Sequence, residues 1–363
     1  MLSPKTKRNF FRIIPFGIIW LIFSLVYSLL ERGLLGNLYY YPSTGNPYNF
    51  NKTIWITAIT AFVLGLLIGT AEVLYLHRLF TKKRFIKKIV YKLFVYLVII
   101  ILFLLFTTIF YNAVLLRKSI FDKMVLDNVW LFFADFAFWS VVIYIAAIIC
   151  VSLFYIEVSD NLGQGVLNNF LMGKYHTPKQ EVRIFMFLDM KSSTTIAENI
   201  GHVKYFKMLK NYFADLSDSI IKYAGEIYQY VGDEVVISWT LKNGTADHNC
   251  IRCFFAMKNE MEKRAEKYKQ EFGFLPAFKA GLHCGNVTTG EIGVIKREII
   301  FTGDVLNTTA RIQALCNSFG VDILISGQLL ESMDINSQFQ LKPLGETRLR
   351  GRDEKIELFT LWL

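Results

Sequence analysis

Two aspartates, Asp189 and Asp233, each follow a short apolar run that is typical of a β-strand. A turn rich in Ser and Thr separates Asp189 from a helical pattern, an arrangement that suits a cation bound to phosphates. Carboxylates on neighbouring strands could hold two divalent ions about 3.5–4 Å apart, the geometry used for in-line displacement at phosphorus. The alternative for Asp189 is that it only caps the following helix. Taken with the motifs further along the chain, the metal site is the stronger hypothesis.

The elements that must position these carboxylates lie after residue 181. Alternating apolar patterns predict an α+β domain with an order close to βαββαβ, the ferredoxin-like arrangement. Gly232-Asp233 between two such runs is a hairpin signal. The predicted elements are strands at 182–189, 226–231, 234–239, 277–284, 298–302 and 321–326, helices at 193–224, 246–272, 304–318 and 327–333, a loop with glycines at 285, 290 and 293, and two terminal strands.

The first half of the chain has a different composition. The 363 residues are 53% hydrophobic with a mean hydropathy of +0.36, too apolar for a soluble protein, and the excess lies before about residue 156. Segments of about 20 apolar residues span a bilayer core. Four such segments predict an all-α transmembrane domain of four helices over residues 1–156, at roughly 13–30, 54–76, 93–115 and 129–156.

Lysines and arginines indicate how these spans are oriented. They are concentrated at the N-terminus and in the second loop, which predicts that both are cytoplasmic. These residues are Lys5, Lys7, Arg8 and Arg12, then Arg78, Lys82, Lys83, Arg84, Lys87, Lys88 and Lys92. An even number of spans then places a linker (157–181) and the domain over 182–363 in the cytoplasm, below the inner (plasma) membrane. The net charge of +10 therefore reports orientation in a lipid bilayer, and no nucleic-acid partner is expected.

Two smaller features have competing explanations. Glu72 and Asp135 fall inside predicted spans, where a carboxylate indicates a functional site, although each is close enough to a span end to reach the interface. Cys250 and Cys253 with His248 resemble half of a zinc site. A structural zinc needs four ligands, and no second pair exists, so the cysteines are predicted to be small core residues.

Several motifs, in the right order over about 180 residues, together resemble the class III nucleotidyl cyclases, a family of adenylate and guanylate cyclases. The stretch Phe187-Leu-Asp-Met-Lys-Ser-Ser-Thr194 is similar to the first metal motif of that family, and Tyr230-Val-Gly-Asp-Glu234 to the second. The others are Gly281-Leu-His-Cys-Gly285 with Gly290-Glu-Ile-Gly293, Thr302-Gly-Asp-Val-Leu-Asn-Thr-Thr-Ala-Arg311, and Leu349-Arg-Gly-Arg352.

The resemblance implies a role for each matching residue. Asp189 and Asp233, with the main-chain carbonyl of Met190, would bind two divalent cations, Mg²⁺ or Mn²⁺. Asn307 would orient the ribose and Arg311 would stabilise the transition state. The phosphates would contact the helix start and the late basic turn, at Lys191, Ser192, Ser193, Thr194, Arg350 and Arg352. The alternatives are a surface pair for Asn307 and Arg311, and a solvated turn for Arg350 and Arg352.

The implied protein is a membrane-anchored homodimer with active sites shared between chains, which converts ATP to 3′,5′-cyclic AMP and pyrophosphate. The two positions that read the base depart from the family pattern: they are Gln229 and Ile300. ATP is the favoured nucleoside triphosphate, and GTP or a pyrimidine nucleotide is the alternative. The competing hypotheses are a catalytically silent nucleotide-binding membrane receptor, a diguanylate cyclase, and a small transporter fused to a regulatory domain.

Overall fold

The computed structural model describes residues 3–40, 42, 47–76, 79–80, 84–333, 335, 338–349 and 355–362. The chain divides into two compact units, residues 7–168 and residues 169–363, the second grouped with the first six residues. The predicted boundaries at 156 and 181 remain a prediction. In the structure these positions lie near the end of one long helix and inside the first strand of the sheet.

The first unit is helical. Within the described residues, four helical stretches are long and apolar enough to cross a membrane, at Pro4–Leu35, Phe50–Leu76, Phe85–Val114 and Phe138–Leu162. The helices are α1 (Pro4–Leu35), α2 (Phe50–Ala71) with a π-helical turn (Glu72–Leu76), α3 (Phe85–Leu116), α4 (Lys123–Ala134), α5 (Phe136–Leu162) and α6 (Gln164–Leu171). The prediction of four long apolar helices is confirmed.

Two details of the predicted spans are wrong. Asp135 does not lie inside a span, because its extended backbone (φ −68°, ψ 132°) ends α4 and separates that helix from α5. Helix α3 begins at Phe85, eight residues before the predicted start, so Lys88 and Lys92 lie in the helix and not in a loop. Lys92 is fully buried.

The second unit contains a single mixed sheet with strand order β2-β3-β1-β4-β6-β8-β7, and β5 pairs with β4. Among the described strands, β4 and β6 form the one parallel pair, and the other pairs are antiparallel. The strands are β1 (Lys179–Met190), β2 (Glu226–Val231), β3 (Glu234–Thr240), β4 (Phe278–Ile292), β5 (Glu298–Thr302), β6 (Ile323–Ser326), β7 (Gln340–Arg348) and β8 (Lys355–Trp362).

Helices cover the sheet unequally. They are α7 (Ser193–Ile200), α8 (His202–Lys222), α9 (Leu241–Thr245), a 3₁₀ turn (Ala246–His248), α10 (Asn249–Lys263), α11 (Ala265–Phe272), α12 (Asp304–Ala314), α13 (Cys316–Phe319) and α14 (Gly327–Glu331). The main core lies between the sheet and helices α8, α10 and α11. A smaller core, which we call the α12 face, joins the opposite side of β1, β3 and β4 to α12 and β5.

The predicted α+β class is confirmed, with three local differences. Gly201 divides the predicted helix 193–224 in two, and Arg264 ends α10 inside the predicted helix 246–272. Strand β4 continues to Ile292 through the predicted glycine loop, because it pairs with both β1 and β5 there. Cys250 and Cys253 are fully buried in the main core, as predicted.

Candidate active site

The alternation of side chains along β1 determines where Asp189 points. Residues at 184, 186, 188 and 190 enter the main core, whereas Phe185 and Phe187 belong to the α12 face. Successive side chains of a strand point to opposite sides of the sheet. Asp189 therefore lies on the α12 face, at the end of the strand, and its side chain is 27% exposed.

The β2–β3 hairpin brings two more carboxylates to the same corner. Val231 pairs with Glu234, so the turn consists of Gly232 and Asp233 alone. Gly232 has a φ of +64°, a conformation that costs glycine little. Because Val236 is part of the α12 face, Glu234 points to that side as well.

Repulsion at this corner raises the pKa of two of the carboxylates, Asp189 and Glu234. Burial raises the pKa of Asp189, and repulsion from Asp233 raises it further, against the opposing effect of Lys279. Burial also raises the pKa of Glu234 to about 7, with repulsion from Asp189 and Asp233 as the next causes. This corner concentrates negative charge, and a bound cation would relieve the repulsion.

The contacts of Asp189 exclude a capping role. The N-cap of α7 is Ser192, which has a left-handed backbone (φ 56°, ψ 31°). The carboxylate instead lies 3.5 Å from Lys279 Nζ, and Gln313 Nε2 donates to it over 3.2 Å. Of the predicted phosphate-binding residues, Lys191 and Ser192 form the turn that precedes α7, and Ser193 and Thr194 begin that helix.

The donors at this corner fit a divalent cation. Asp233 Oδ2 is buried and has no hydrogen-bond partner among the described residues, so one carboxylate oxygen beside Asp189 remains available for a metal. No cluster of three or more His, Cys, Asp or Glu suited to a metal is found in the described part of the chain. Mg²⁺ is commonly held by one or two carboxylates together with waters and substrate phosphates. Met190 is 2% exposed with its side chain in the main core, so only its main-chain carbonyl could contribute.

A cavity of about 450 Å³ opens next to Lys279, the lysine that contacts Asp189. Its lining includes Lys191, Ser192 and Lys279, together with the turn from Cys316 to Val321. Of its two lysines, Lys279 contacts Asp189 and Lys191 pairs with Asp322 over 2.5 Å. Lysines at this place could hold the phosphates of a metal-bound nucleotide. No motif in the sequence pointed to Lys279. A lysine inside the apolar run of β4, paired in register with Asp189, is the signal that could have found it.

Helix α12 approaches this corner closely because β4 has a glycine beneath it. A Cβ on Gly281 would lie 2.4 Å from the backbone nitrogen of Gln313, which no side chain could tolerate. This close approach puts the Gln313 amide within reach of Asp189.

Asn307 and Arg311 are also on α12 but point elsewhere. They are four residues apart and so share one face of the helix, where Asn307 is exposed and Arg311 is half-buried. At 100° per residue, Arg311 lies about 200° around the helix from Gln313. Neither side chain has a hydrogen-bond or ion-pair partner within the described ranges. The structure therefore does not bring Arg311 to the Asp189 of its own chain.

The two predicted base-reading positions do not meet within the chain. Gln229 is exposed and pairs with Val236, which puts it on the α12 face. On β5, Phe301 packs against Tyr228 with ring centroids 4.9 Å apart, so its neighbour Ile300 points to the other side of the sheet. The role of this pair in base recognition stays a prediction. Arg350 and Arg352 lie outside the described residues.

Comparison with known proteins identifies the C-terminal unit. The sequence profile described as "Adenylate and Guanylate cyclase catalytic domain" matches residues 174–362. Adenylate cyclase 2 of Rhizobium meliloti (strain 1021) is 36% identical over 222 residues, which are 61% of this chain and 61% of that protein. Adenylate cyclase 1 of the same organism is 28% identical over 187 residues, covering 50% of this chain and 27% of that protein.

Adenylate cyclase of Anabaena cylindrica is 24% identical over 202 residues, covering 54% of this chain and 39% of that protein. The chain thus spans less than two thirds of the length of each of these relatives. The matching profile nevertheless covers more than half of the chain and includes Asp189, Asp233, Asn307 and Arg311. The resemblance found in the sequence is confirmed, and the chain belongs to the adenylate and guanylate cyclase family.

Proposed function

We propose that this protein is a membrane-anchored nucleotidyl cyclase that converts ATP to 3′,5′-cyclic AMP and pyrophosphate. The observation that carries the proposal is the buried oxygen of Asp233 beside Asp189, which has no hydrogen-bond partner among the described residues. Lys279, which contacts Asp189, also lines the adjacent cavity. Relatives named adenylate cyclase support ATP as the substrate. GTP and pyrimidine nucleotides are the alternatives, because Gln229 and Ile300 depart from the family pattern.

In the reaction, the ribose 3′-oxygen bonds to the α-phosphorus, the bond from that phosphorus to the β-phosphate oxygen breaks, and pyrophosphate leaves. The proton of the hydroxyl passes to water. Two divalent cations, Mg²⁺ or Mn²⁺, would make the hydroxyl more acidic and neutralise phosphate charge when bound. Asp189 and Asp233 would hold them.

The remaining residues bind and orient the nucleotide. Lys279 and Lys191 line the same cavity, and they would attract the β- and γ-phosphates. The Ser192–Thr194 amides at the start of α7 would add hydrogen bonds, whereas the Lys191 amide already donates to the Ala277 carbonyl over 2.8 Å. Asn307 would hold the ribose, and the guanidinium of Arg311 would stabilise charge that develops on the α-phosphoryl group.

We propose that each active site is shared between two copies of the chain. Arg311 lies about half a helical turn away from Gln313, which contacts Asp189 of the same chain. An Arg311 supplied by a second copy would remove this geometric conflict. Two-fold symmetry then creates two equivalent sites in a homodimer.

The four apolar helices support a location in the inner (plasma) membrane. The distribution of lysine and arginine supports a cytoplasmic C-terminal unit. The nucleotide substrate would then be drawn from the cytoplasm.

The test uses the full-length protein in purified membranes. ATP, GTP, CTP and UTP are supplied separately with Mn²⁺, and 3′,5′-cyclic products are identified by mass spectrometry. Wild type should release cyclic AMP and pyrophosphate in equal amounts, whereas Asp233→Asn should release neither. Glu262→Gln, which also converts a carboxylate to an amide but at an exposed position away from the site, serves as the control.

A cyclic product from another nucleotide would support the alternative substrate. If wild-type membranes bind ATP and form no cyclic product, the proposed cyclase activity is refuted and the hypothesis of a nucleotide-binding receptor is favoured.

A further inference from the structure

A buried network of charges lies within the membrane unit. Lys92 Nζ is 2.6 Å from Glu72 Oε1 and 2.9 Å from Glu157 Oε1, and all three side chains are at most 1% exposed. Lys88 contacts the other oxygen of Glu157 at 3.0 Å, and Tyr96 donates to Glu72 over 3.0 Å. We call these five residues the ion network. Its two lysines balance its two glutamates.

The ion network connects three helical segments. Glu72 begins the π-helical turn that comes after α2, Lys88 and Lys92 come from α3, and Glu157 lies near the end of α5. Single π-helical turns are frequent at functional sites.

One helical turn beyond Glu157, Asp160 pairs with Arg12 of α1 over 2.6 Å. The last turns of α5 are therefore paired with charged groups of α1 and α3, and Lys92 links them in turn to Glu72.

Stability alone is a poor explanation for such a network. Burying ions removes their hydration, and apolar residues of similar shape often stabilise a protein equally well. A buried ion pair does require one particular geometry, because a displaced helix would leave a charge without its partner. The network thus favours a single position for the end of α5.

The position of the α5 end matters because a short connector joins this helix to β1. The helix ends at Leu162, and only Gly163, the short α6 and a few residues separate it from β1 at Lys179. Strand β1 carries Asp189 at its end. The connector is therefore the covalent path by which a shift or rotation of α5 would reach the strand with the first metal-binding carboxylate.

We propose that the ion network is a positioning device that holds the end of α5 and its connector in the arrangement needed for full cyclase activity. The inference rests on the proposed function for its effect on activity, but not for its effect on the connector. The residues of the network position the chain and do not touch the substrate.

The test compares full-length variants in inverted membrane vesicles. The first variant combines Glu72→Gln, Lys92→Met and Glu157→Gln, which removes the three fully buried charges together. Lys88 loses its partner Glu157, but its side chain is 19% exposed and keeps access to solvent. The second is Lys92→Met alone. The control is Lys87→Met, the same substitution at an exposed lysine of α3.

Two readouts are measured on equal amounts of inserted protein. One is the rate of tryptic cleavage after the exposed Lys174 in the connector, identified by mass spectrometry. The other is the kcat and KM of cyclic nucleotide formation. We expect faster cleavage and an approximately fivefold lower kcat in the triple variant, typical of coupling between sites. KM for the nucleotide should not change, because the substrate contacts are in the other unit.

The inference is overturned if the triple variant matches the Lys87→Met control in cleavage rate and kcat. It is also overturned if KM changes in place of kcat. If the Lys92→Met protein fails to insert into the membrane, the triple variant still tests the inference. A wild type without cyclase activity would refute the proposed function, whereas unchanged cleavage of the connector would refute this inference by itself.

Discussion

Replacing Glu234 by glutamine should stabilise the metal-free protein, and the gain should grow with pH. Glu234 lies next to Asp233 on the α12 face, and burial together with repulsion from Asp189 and Asp233 raises its pKa from 4.5 to about 7. A carboxyl whose pKa is raised by folding favours the folded state when it is protonated. That contribution is complete below about pH 4.5 and is lost as pH rises through about 7.

The size of the effect can be worked out from the pKa difference. About 7 minus 4.5 is about 2.5 pKa units, which correspond to about 3 kcal/mol at 1.36 kcal/mol per unit. Screening by water at this partly exposed side chain reduces the value to about 1–2 kcal/mol. Between pH 5 and pH 8.5, wild type should therefore lose about 1 kcal/mol of stability relative to Glu234→Gln, which cannot ionise.

Hydrogen–deuterium exchange provides an assay that is specific to the C-terminal unit of the full-length protein. The free energy of opening is measured for backbone amides in β1 and β3, in buffer with a chelator, at several pH values. Glu262→Gln controls for the loss of an exposed carboxylate. A comparison of wild type with Glu234→Gln cancels every other titration that the two proteins share.

Adding Mn²⁺ should reverse the order of stability, so that wild type becomes more stable than Glu234→Gln, because a bound cation favours ionised carboxylates. Asp233→Asn should reduce the pH dependence, since it removes one source of repulsion. The reasoning is refuted if wild type and Glu234→Gln show the same pH dependence without metal. Three carboxylates would then not repel one another at this corner, and the case for a cation there would lose its electrostatic support.

Three further predictions concern the same unit. In steady-state kinetics, Lys279→Ala should raise KM for the Mn²⁺–nucleotide about tenfold, which is the loss expected for one charged hydrogen bond. Lys279→Arg should keep most of the affinity. An unchanged KM in the alanine variant would exclude a contact between Lys279 and the phosphates. In hydrogen–deuterium exchange, Gly281→Ala should destabilise the unit by about 2–3 kcal/mol, because its Cβ would lie 2.4 Å from the backbone of α12. Gly285→Ala should have a much smaller effect, since the nearest contact of its Cβ is 3.2 Å away. Equal effects of the two substitutions would contradict the close packing at Gly281. Co-expression of Asp233→Ala with Arg311→Ala in equal amounts should restore about a quarter of wild-type cyclase activity. Half of the dimers are then mixed, and each mixed dimer has one intact site of two. If tagged pull-down verifies the mixed dimers and no activity is recovered, the sites are not shared.

The sequence identifies the carboxylates of the site more readily than their neighbours. Asp189 and Asp233 stand next to their own strands, so a local pattern reveals them. Gln313 reaches Asp189 across 124 residues of sequence, and Lys279 reaches it only because β1 and β4 pair in one register. Neither contact can be deduced from local spacing, since both depend on how distant segments pack.

Arg311 shows the complementary case. The sequence places it four residues after Asn307, and the helix that this spacing requires is present as α12. The spacing could not supply the direction in which the pair points. That direction depends on which face of α12 rests on β4, and the face is determined by the small residue at Gly281.

Glu72 and Lys92 show how a charge can be assigned to the wrong environment. From the sequence, Lys92 is counted among the loop charges that orient the membrane spans, and Glu72 is treated as a lone intramembrane carboxylate. The structure joins them at 2.6 Å in a setting without solvent access, together with Glu157 from a third helix. Because a buried charge requires a partner, an isolated acidic residue in one predicted span and a basic residue at the edge of the next are better treated as a candidate pair. Applied to this chain, that rule leads from Glu72 through Lys92 to Glu157, and so to the helix end that precedes the catalytic unit.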